Sequence, residues 1–416
     1  MPKPTSTTRM PAPAIAGPGL VAEYRDRTPA SAAAFARAER VLPGGETRAV
    51  TSYPPYPVVL ADGCGARLWD VDGHMYLDLV NNYTALVHGN AFAPVTDAVA
   101  DLLPRGVVFA SPHHHQVALA ERLCQRIPSV ERVRFTNSGT EAALLATRIA
   151  RRATGRSRIL LFDGAYHGSA TALMPNSPDV VVAPWNDLAA AERLLAGDQP
   201  VAAVLAEPFL GAGGVRPATP GFLAGVAEAA RSRGALFVLD EVQSLRNGVA
   251  GQQGELGLAP DLTLLGKVIG GGFPIGAVGG RADLLALTVG SRTPGHVAHA
   301  GTFNGHLAAA VAGLVTLDHL DGAAIDRLTT AGERLAARIT AAAAGVDAHV
   351  TRAGSILNVH LDPPECLAAL HLTLLLDGVY TTPRGMINLS TALTDTDLDE
   401  VAAAYTRAFA RIADDT

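Results

Sequence analysis

The sequence predicts an α/β protein with a mostly parallel central sheet, and three observations lead to that fold class. From about residue 132 onward, short apolar runs alternate with Ala-rich stretches of helical spacing. The runs are continuous rather than alternately polar and apolar, which is typical of parallel strands covered by helices on both faces. Polar residues follow the runs directly, and ligands bind at the carboxyl ends of strands in such sheets.

The individual elements of this sheet are predicted from the same pattern. Six apolar runs predict strands, and they span residues 132–135, 158–162, 180–183, 201–206, 235–239 and 262–265. Three intervening stretches predict helices over residues 140–153, 188–195 and 221–232.

The remaining sequence predicts a smaller α+β domain assembled from both termini. Residues 1–20, rich in Pro, Ser, Thr and Ala, are expected to form a disordered tail. We expect residues 21–75 and 306–416 to pack together beside a large domain of residues 76–305. The elements predicted within them are an Ala-rich helix, a loop at 43–45, strands at 56–60, 66–69 and near 355–361, and helices at 306–320, 328–343 and after Thr394.

Composition narrows the classes of partner. The 416 residues are 48% hydrophobic, enough for a large buried core. Their net charge of −6 gives no electrostatic reason to expect binding to nucleic acid or to an anionic membrane. No stretch of 18 unbroken apolar residues predicts a membrane-spanning helix. Three widely spaced cysteines without metal spacing suggest idle thiols in a reducing compartment, so we expect a cytoplasmic protein.

One cluster, His113-His114-His115, raises the question of a metal site. No carboxylate or cysteine stands near it at ligand spacing. We therefore favour a structural role for the three histidines and expect no metal.

Two segments place an anion-binding turn and an aromatic side chain after predicted strands. The segment Asn137–Thr140 lies where a strand ends and a helix begins, so free N–H groups, the helix dipole and hydroxyl groups favour an anion there. Read alone, it fits an ordinary N-capped helix equally well. Tyr166 follows the next strand and is suited to stack on a planar ligand, or simply to pack in a turn flanked by glycines.

Two further segments place a carboxylate and a lysine at strand ends. Asp240 is costly to bury unless it meets a cation such as a protonated pyridine nitrogen, although it also fits a helix N-cap. Lys267 lies between an apolar run and a glycine cluster, and the chain's other lysine is Lys3. Desolvation lowers the pKa of such an amine and makes it a nucleophile for a carbonyl.

In this order and spacing, the four segments resemble those of the fold-type I pyridoxal-phosphate enzymes. Within that class the chain is identified as a member of the class III aminotransferases, in the group similar to glutamate-1-semialdehyde aminomutase. The resemblance runs from about Tyr24 to the C-terminus. Its strongest motifs are VLPGGETRAV (41–50), WDVDGHMYLDLV (69–80), RFTNSGTEA (134–142), LDEV (239–242), GKVIGGGFPIGAVGGR (266–281) and HAGTFNGH (299–306).

The resemblance implies roles for particular residues. Lys267 corresponds to the lysine that binds pyridoxal 5′-phosphate as a Schiff base and then moves a proton between Cα and C4′. Asp240 corresponds to the partner of the pyridinium nitrogen. The implied cofactor contacts are Ser138, Gly139 and Thr140 in the phosphate cup, Tyr166 and Val242 on the two ring faces, His167 and Glu207 near the ring, and Thr302 reaching the phosphate from the other subunit of a homodimer.

The chain departs from the aminomutase pattern at two places. Ala212 stands where the aminomutases have an asparagine that contacts the phenolic oxygen of the cofactor. Gln243 follows Asp-Glu-Val, as in other class III aminotransferases, and we expect it to take over that contact. The sequence GNAFAP (89–94) replaces a Gly-His-x-His-Pro pattern.

The chain is most similar to the β-phenylalanine aminotransferases. The similarity includes Arg48 and Arg384, which correspond to two arginines that bind substrate carboxylates in those enzymes. A guanidinium binds a carboxylate through two parallel hydrogen bonds, which a lysine cannot do. The shared segments are RxV followed by PPxP (48–57), YTA (83–85), LGAGG (210–214), HAGTFN (299–304) and PRGM (383–386).

The resemblance implies an aminotransferase that moves an amino group between an amino acid, with a β-amino acid as the leading candidate, and a keto acid by a ping-pong mechanism. One alternative is an intramolecular 2,1-aminomutase, an isomerase. Another is an aminotransferase of a dedicated biosynthetic pathway that acts on an unusual carbonyl compound. A non-catalytic cofactor-binding module is disfavoured, because the chain retains Lys267 and leaves no room for a helix-turn-helix domain.

Overall fold

The computed structural model describes residues 16–290 and 295–415 and has the α/β architecture expected from the sequence. Most of the predicted tail lies outside the described residues. The first helix begins at Pro18, so the last three residues of the predicted tail are helical and that boundary is corrected.

The elements follow one another along the chain in three groups. The N-terminal group comprises α1 (Pro18–Arg27), α2 (Pro29–Ala38), β1 (Leu60–Cys64), β2 (Arg67–Asp70), β3 (Met75–Asp78), α3 (Asn81–Thr84), α4 (Ala93–Leu102) and α5 (His114–Arg126). The central group comprises β4 (Arg132–Thr136), α6 (Gly139–Thr154), β5 (Arg158–Phe162), β6 (Val180–Ala183), α7 (Leu188–Leu195), β7 (Val201–Ala206), β8 (Phe209–Leu210), β9 (Arg216–Pro217), α8 (Phe222–Ser232), β10 (Leu236–Asp240), α9 (Gly251–Glu255), β11 (Leu262–Gly266), β12 (Gly276–Gly280) and α10 (Ala282–Ala286). The C-terminal group comprises α11 (Leu307–His319), α12 (Gly322–Ala342), β13 (Ala348–Ala353), β14 (Ile356–Leu361), α13 (Cys366–Leu376), β15 (Val379–Tyr380), β16 (Met386–Asn388) and α14 (Asp395–Asp415).

The central sheet has seven strands in the order β4-β12-β11-β10-β7-β5-β6. Six of them run in one direction, and β12 alone is antiparallel to its neighbours β11 and β4. All six predicted strands are present, and β7 shows why they are apolar throughout. Its residues Ala203 and Leu205 pack in one buried cluster with α6, whereas Val204 and Ala206 pack in another with α8. The mostly parallel sheet is therefore confirmed.

Strand β12 was not predicted, because its sequence GAVGG has little β-propensity. Its glycines are required by space. A Cβ on Gly276 would lie 2.1 Å from the carbonyl oxygen of Ser138, and one on Gly280 would lie 2.4 Å from that of Asp261. The backbone of β12 thus lies too close to neighbouring backbone for side chains at these two positions. This lack of space, rather than strand propensity, explains why glycines occur there.

Segments from the two ends of the chain pack together, as expected. Leu20 and Tyr24 of α1 lie in one buried cluster with Tyr76 of β3 and Leu372 of α13. Strand β15 extends the sheet β1-β2-β3 by pairing in parallel with β3. The predicted strand at 56–60 is wrong, since β1 begins only at Leu60.

The predicted domain boundaries stay predictions, and two of them fall at places where the structure is continuous. Strand β3 crosses the boundary drawn at 75/76. Helix α11 lies beyond the boundary at 305/306, yet its residues Leu307 and Val311 pack with Val95 and Val99 of α4.

Within residues 16–290 and 295–415, no single helix is both long enough and apolar enough to cross a membrane. The one pair that passes the length and composition test together, α11 and α12, is bent by 75°.

The close approach of β12 leads to a stability prediction. We expect Gly276→Ala to lower the free energy of unfolding by at least about 1–3 kcal/mol, because the added methyl group overlaps the backbone of Ser138. Gly322→Ala is the matched control, since its Cβ would meet nothing nearer than Val249 at 3.8 Å. Urea unfolding would measure both variants, and equal midpoints for Gly276→Ala and the wild type would contradict the packing argument.

Candidate active site

A cavity of about 530 Å³ opens where the strands of the central sheet end. It brings together the predicted residues that follow β4, β5, β7, β10 and β11, because these strands run in the same direction and end at the same edge. The predicted residues that line it are Arg48, Ser138, Gly139, Thr140, Tyr166, His167, Glu207, Asp240, Val242, Gln243 and Lys267.

One wall of the cavity is the N-terminus of α6. The side chain of Ser138 caps this helix by accepting a hydrogen bond from the N–H of Glu141 at 3.2 Å. Gly139 lies against Val242, where a Cβ would come within 3.1 Å of a methyl group. Gly168 has φ +95°, and a Cβ there would lie 2.2 Å from Oγ1 of Thr140. These glycines leave a narrow space beside free backbone N–H groups, which suits an anionic group.

A buried carboxylate and a buried imidazole form the floor of the cavity. Oδ2 of Asp240 lies 2.8 Å from Nδ1 of His167, and Oδ1 accepts a hydrogen bond from the N–H of Val242 at 3.0 Å. Burial disfavours the charged imidazole, but the hydrogen bond to Asp240 and the negative charges of Asp240 and Glu207 outweigh it and raise the pKa of His167. Nε2 of His167 is buried without a hydrogen-bond partner among the described residues.

Glu207 is a second buried carboxyl group beside this pair. Its oxygens accept hydrogen bonds from the backbone N–H groups of Tyr166 at 3.1 Å and Gly211 at 3.2 Å. Burial, reinforced by the charge of Asp240 and opposed by His167 and the two N–H donors, raises the pKa of Glu207 to about 7. The group therefore exchanges a proton near neutral pH, at a position where the resemblance implied contact with a cofactor ring.

Lys267 begins the turn after β11 and has φ +48°, an unfavourable conformation for a residue with a side chain. Burial lowers the pKa of its amine, although Asp240 and Glu207 act in the opposite direction. A larger fraction of the amine is thus neutral than in a solvated lysine, which is the form that attacks a carbonyl carbon.

Gln243 faces the loop that contains the Ala212 departure. A Cβ on Gly211 would lie 1.8 Å from Oε1 of Gln243 and 3.3 Å from Oε1 of Glu207. Nε2 of Gln243 also lies 3.6 Å from the sulfur atom of Met386. The side chain therefore fills the space beside residue 211, consistent with the expected replacement of the missing asparagine.

Arg48 reaches the cavity from the N-terminal part of the chain. Its Nη1 donates a hydrogen bond of 2.7 Å to Oδ1 of Asn82, and its guanidinium carbon lies 5.9 Å from the centre of the Tyr83 ring. Both partners belong to α3, which is a left-handed turn in which all four residues have positive φ, between +46° and +79°. Such a conformation costs of the order of 1–2 kcal/mol for each residue.

Two predicted residues do not line this cavity. Thr302 lies in an exposed turn, and a 3.0 Å hydrogen bond between Asn137 and Asn304 joins its segment to the site. Arg384 lies in the turn before β16, close enough to influence the pKa of Tyr83 together with Arg48. The roles of both arginines and of Thr302 stay predictions.

The three neighbouring histidines lie apart from this site. The possible ligand nitrogens of His113, His114 and His115 lie within 4.8 Å of one another. Nδ1 of His113 already accepts the N–H of His115 at 3.3 Å and caps α5 in a capping box with Gln116. This contact supports a structural role, and the expected absence of a metal stays a prediction.

No role was predicted from the sequence for Asn82 and Phe273, which line the cavity, or for Tyr83, which contacts Arg48. The pair Asn81-Asn82 is a weak signal for a left-handed turn, since asparagine tolerates positive φ better than most residues. No local pattern indicates that the turn contacts Arg48.

The mixed α/β fold is that of the fold-type I transferases, in which a lysine, a carboxylate and an anion-binding turn are expected at this edge of the sheet. The class-III aminotransferase family model matches residues 49–412, so the chain belongs to this family, and the predicted pyridoxal-phosphate-dependent aminotransferase is confirmed.

The similar proteins include two transaminases and one aminomutase. The chain is 40% identical to the β-phenylalanine transaminase of Variovorax paradoxus over 92% of this chain and 93% of that protein. It is also 40% identical to a glutamate-1-semialdehyde 2,1-aminomutase of Myxococcus xanthus, over 79% and 82% of the two chains. A solved structure of a transaminase with PLP bound is 32% identical and has a TM-score of 0.89, over 93% of this chain and 99% of that one.

The raised pKa of Glu207 predicts a pH dependence of stability. Between the ordinary carboxyl pKa near 4.3 and about 7, the folded protein binds more protons at this residue than the unfolded chain, so stability falls as the pH rises. Glu207→Gln removes this effect. We expect the stability of the wild type relative to the variant to fall by up to about 1.4 kcal/mol per pH unit in that window.

Urea unfolding midpoints of the protein freed of cofactor, measured at pH 5, 6, 7 and 8, would test this expectation. Glu228→Gln is the control, because Glu228 lies on the surface with 72% of its side chain exposed. Parallel pH profiles for the wild type and Glu207→Gln would contradict it.

Proposed function

We propose that this aminotransferase takes its amino group from an amino acid whose carboxylate is bound by Arg48, with a β-amino acid as the leading class of donor. The observation that carries the proposal is the presence of Arg48 in the same cavity as Lys267 and Asp240. A guanidinium at that place binds a carboxylate through two hydrogen bonds and sets its distance from the reacting carbon.

The residues present fit pyridoxal phosphate. The narrow space that Gly139 and Gly168 leave at the N-terminus of α6 suits its phosphate, with donors from Ser138 and Thr140. Asp240 is a buried carboxylate suited to a protonated ring nitrogen, and Tyr166 and Val242 offer surfaces for the ring. When bound, the cofactor supplies an aldehyde that accepts the amino group and a ring that takes up the electron pair of the C–H bond broken at the carbon that carried the amino group.

The chain's own residues then supply orientation and proton transfer. Lys267, whose amine burial shifts towards the neutral form, would hold the cofactor until the substrate amine displaces it. The released amine would then move a proton from the substrate carbon to a different carbon. His167 fixes the orientation of Asp240 through Nδ1, and the N–H of Val242 fixes its other oxygen. Gln243 and Glu207 are the polar side chains available to the phenolic oxygen.

Two different acids must use the same pocket in a ping-pong cycle. A β-amino acid and an α-keto acid place their carboxylates at different distances from the reacting carbon, and one fixed guanidinium does not suit both. Arg384 is the second candidate, because Tyr83 lies within the electrostatic influence of both arginines. We therefore propose that Arg48 and Arg384 divide the two carboxylates between them.

The 2,1-aminomutase reaction is the alternative, supported by the similarity to the Myxococcus xanthus protein. Ala212 and the side chain of Gln243 beside Gly211 favour transfer between two molecules. A homodimer that shares its active sites is also a proposal. The exposure of Thr302, and of its neighbour Phe303 at 57%, supports a surface that another subunit covers. Location in the cytoplasm stays a prediction.

The proposed reaction leads to a prediction for the wild-type enzyme. With pyruvate or 2-oxoglutarate as acceptor, we expect turnover of 3-amino-3-phenylpropanoate to exceed that of 1-phenylethylamine, which lacks the carboxylate. A panel of amino donors followed by chromatography of the keto product would measure it. Lys267→Ala, expected to be inactive, is the control for catalysis at this site. Isomerisation of glutamate 1-semialdehyde without turnover of any donor–acceptor pair would favour the aminomutase instead.

The division of carboxylates predicts unequal effects of two substitutions. Truncating either arginine removes a charge-assisted contact worth about 1.5–3 kcal/mol, a loss of roughly one to two orders of magnitude in rate or affinity. We expect Arg48→Ala to impair one half-reaction and Arg384→Ala the other. Single-turnover absorbance measurements of each half-reaction would separate them. Equal losses in both halves for both variants, or no loss at all, would refute the division.

A further inference from the structure

Local sequence preference explains only part of the left-handed turn α3, because asparagine tolerates positive φ whereas tyrosine and threonine rarely adopt it. Four successive residues, Asn81 to Thr84, adopt positive φ although none is a glycine. Strain of this kind persists where the surroundings determine the conformation, and it is concentrated at functional sites. The turn lies between two spaces, since Arg48 and Asn82 line both the cavity at Lys267 and a neighbouring chamber of about 300 Å³.

The turn contacts Arg48 through neutral groups. The amide oxygen of Asn82 accepts a 2.7 Å hydrogen bond from Nη1, and the ring of Tyr83 lies beside the guanidinium. The Tyr83 hydroxyl donates a 3.1 Å hydrogen bond to the carbonyl oxygen of Val50, two residues beyond Arg48. In the two stretches that the structure describes, no carboxylate forms an ion pair with Arg48. Its side chain is thus oriented while its charge is not neutralised.

We propose that Asn82 and Tyr83 are positioning residues that orient Arg48 for a substrate carboxylate, an inference that rests on the proposed function. An amide and an aromatic ring hold the guanidinium in place and leave its positive charge for the substrate. A carboxylate at position 82 would hold it equally well and would compete with the substrate for the same donors. Residue 82 therefore determines whether the enzyme prefers donors that carry a carboxylate.

A buried hydrogen-bond network keeps the turn in this conformation. Oδ1 of Asp78 accepts the N–H groups of Val80 and Asn81, both at 2.9 Å. Nδ2 of Asn81 donates to the carbonyl oxygen of Asn388 at 2.6 Å, and Nδ2 of Asn388 donates to that of Val80 at 2.9 Å. Asp78, Asn81 and Asn388 are all almost fully buried.

The same network joins the turn to the segment that contains the second arginine. Asn388 ends β16, which begins two residues after Arg384. Burial raises the pKa of the Tyr83 hydroxyl, whereas the positive charges of Arg384 and Arg48 lower it, so both arginines are near enough to act on Tyr83 electrostatically. The turn thus sets the position of Arg48 relative to Arg384.

The test is Asn82→Asp, measured on the enzyme loaded with cofactor. Aspartate tolerates positive φ as asparagine does, so the turn is retained while a negative charge is placed beside Arg48. We expect KM for 3-amino-3-phenylpropanoate to rise about tenfold or more. The ratio of its kcat/KM to that of 1-phenylethylamine should fall by a similar factor.

Asn82→Gly is the matched control, because glycine adopts the same backbone conformation without supplying an acceptor or a charge. We expect its ratio to fall severalfold, less than for Asn82→Asp. If the wild type shows no preference for the donor with a carboxylate, the proposed function fails before any variant is measured. If the wild type shows the preference and Asn82→Asp retains it, only the positioning role is overturned. Thermal unfolding and cofactor absorbance would establish that both variants are folded and loaded.

Discussion

The cost of burying ionisable groups is the constraint on which the active site depends. Lys267, Asp240, Glu207 and His167 line one small volume, and the charges of the carboxylates contribute to the pKa shifts of both His167 and Lys267. The oxygens of the two carboxyl groups are all hydrogen-bonded there, by backbone N–H groups and by Nδ1 of His167, at the common edge of parallel strands. Burial therefore shifts the amine of Lys267 towards its neutral form and leaves Glu207 able to exchange a proton near neutral pH.

The rest of the site follows from how closely the backbone must approach this cluster. Gly168 lies directly against Thr140, Gly211 against Gln243, and Gly276 against the carbonyl oxygen of Ser138. A methyl group at any of these positions would displace a side chain or a helix terminus that faces the cavity. Lys267 itself has positive φ. Backbone strain thus occurs at the positions of the reactive groups, and the packing of the apolar central sheet stabilises these strained conformations.

Much of this could be predicted from the sequence, since strands buried on both faces are continuous apolar runs and the residues after them face a shared edge. The strands at 158–162, 180–183 and 201–206 have the predicted bounds. Strand β12 could not be predicted, because contacts with distant backbone rather than propensity require its glycines. The turn at Asn82 escaped prediction for a related reason: its conformation is imposed by Asn388, more than 300 residues away in sequence.

Because segments from both chain ends pack together, the residues proposed to bind substrate lie on different segments from those proposed to perform the chemistry. The groups proposed to perform the chemistry follow strands of the central sheet, whereas the proposed substrate arginines, Arg48 and Arg384, lie on segments outside it that buried amides join to each other. Under the proposed function, changes to the outer segments alter which molecules are accepted while the reactive cluster keeps its geometry. A scaffold organised in this way is suited to evolve new substrate ranges by small steps, and directed evolution of such an enzyme would best begin at residues 48–90 and 379–388.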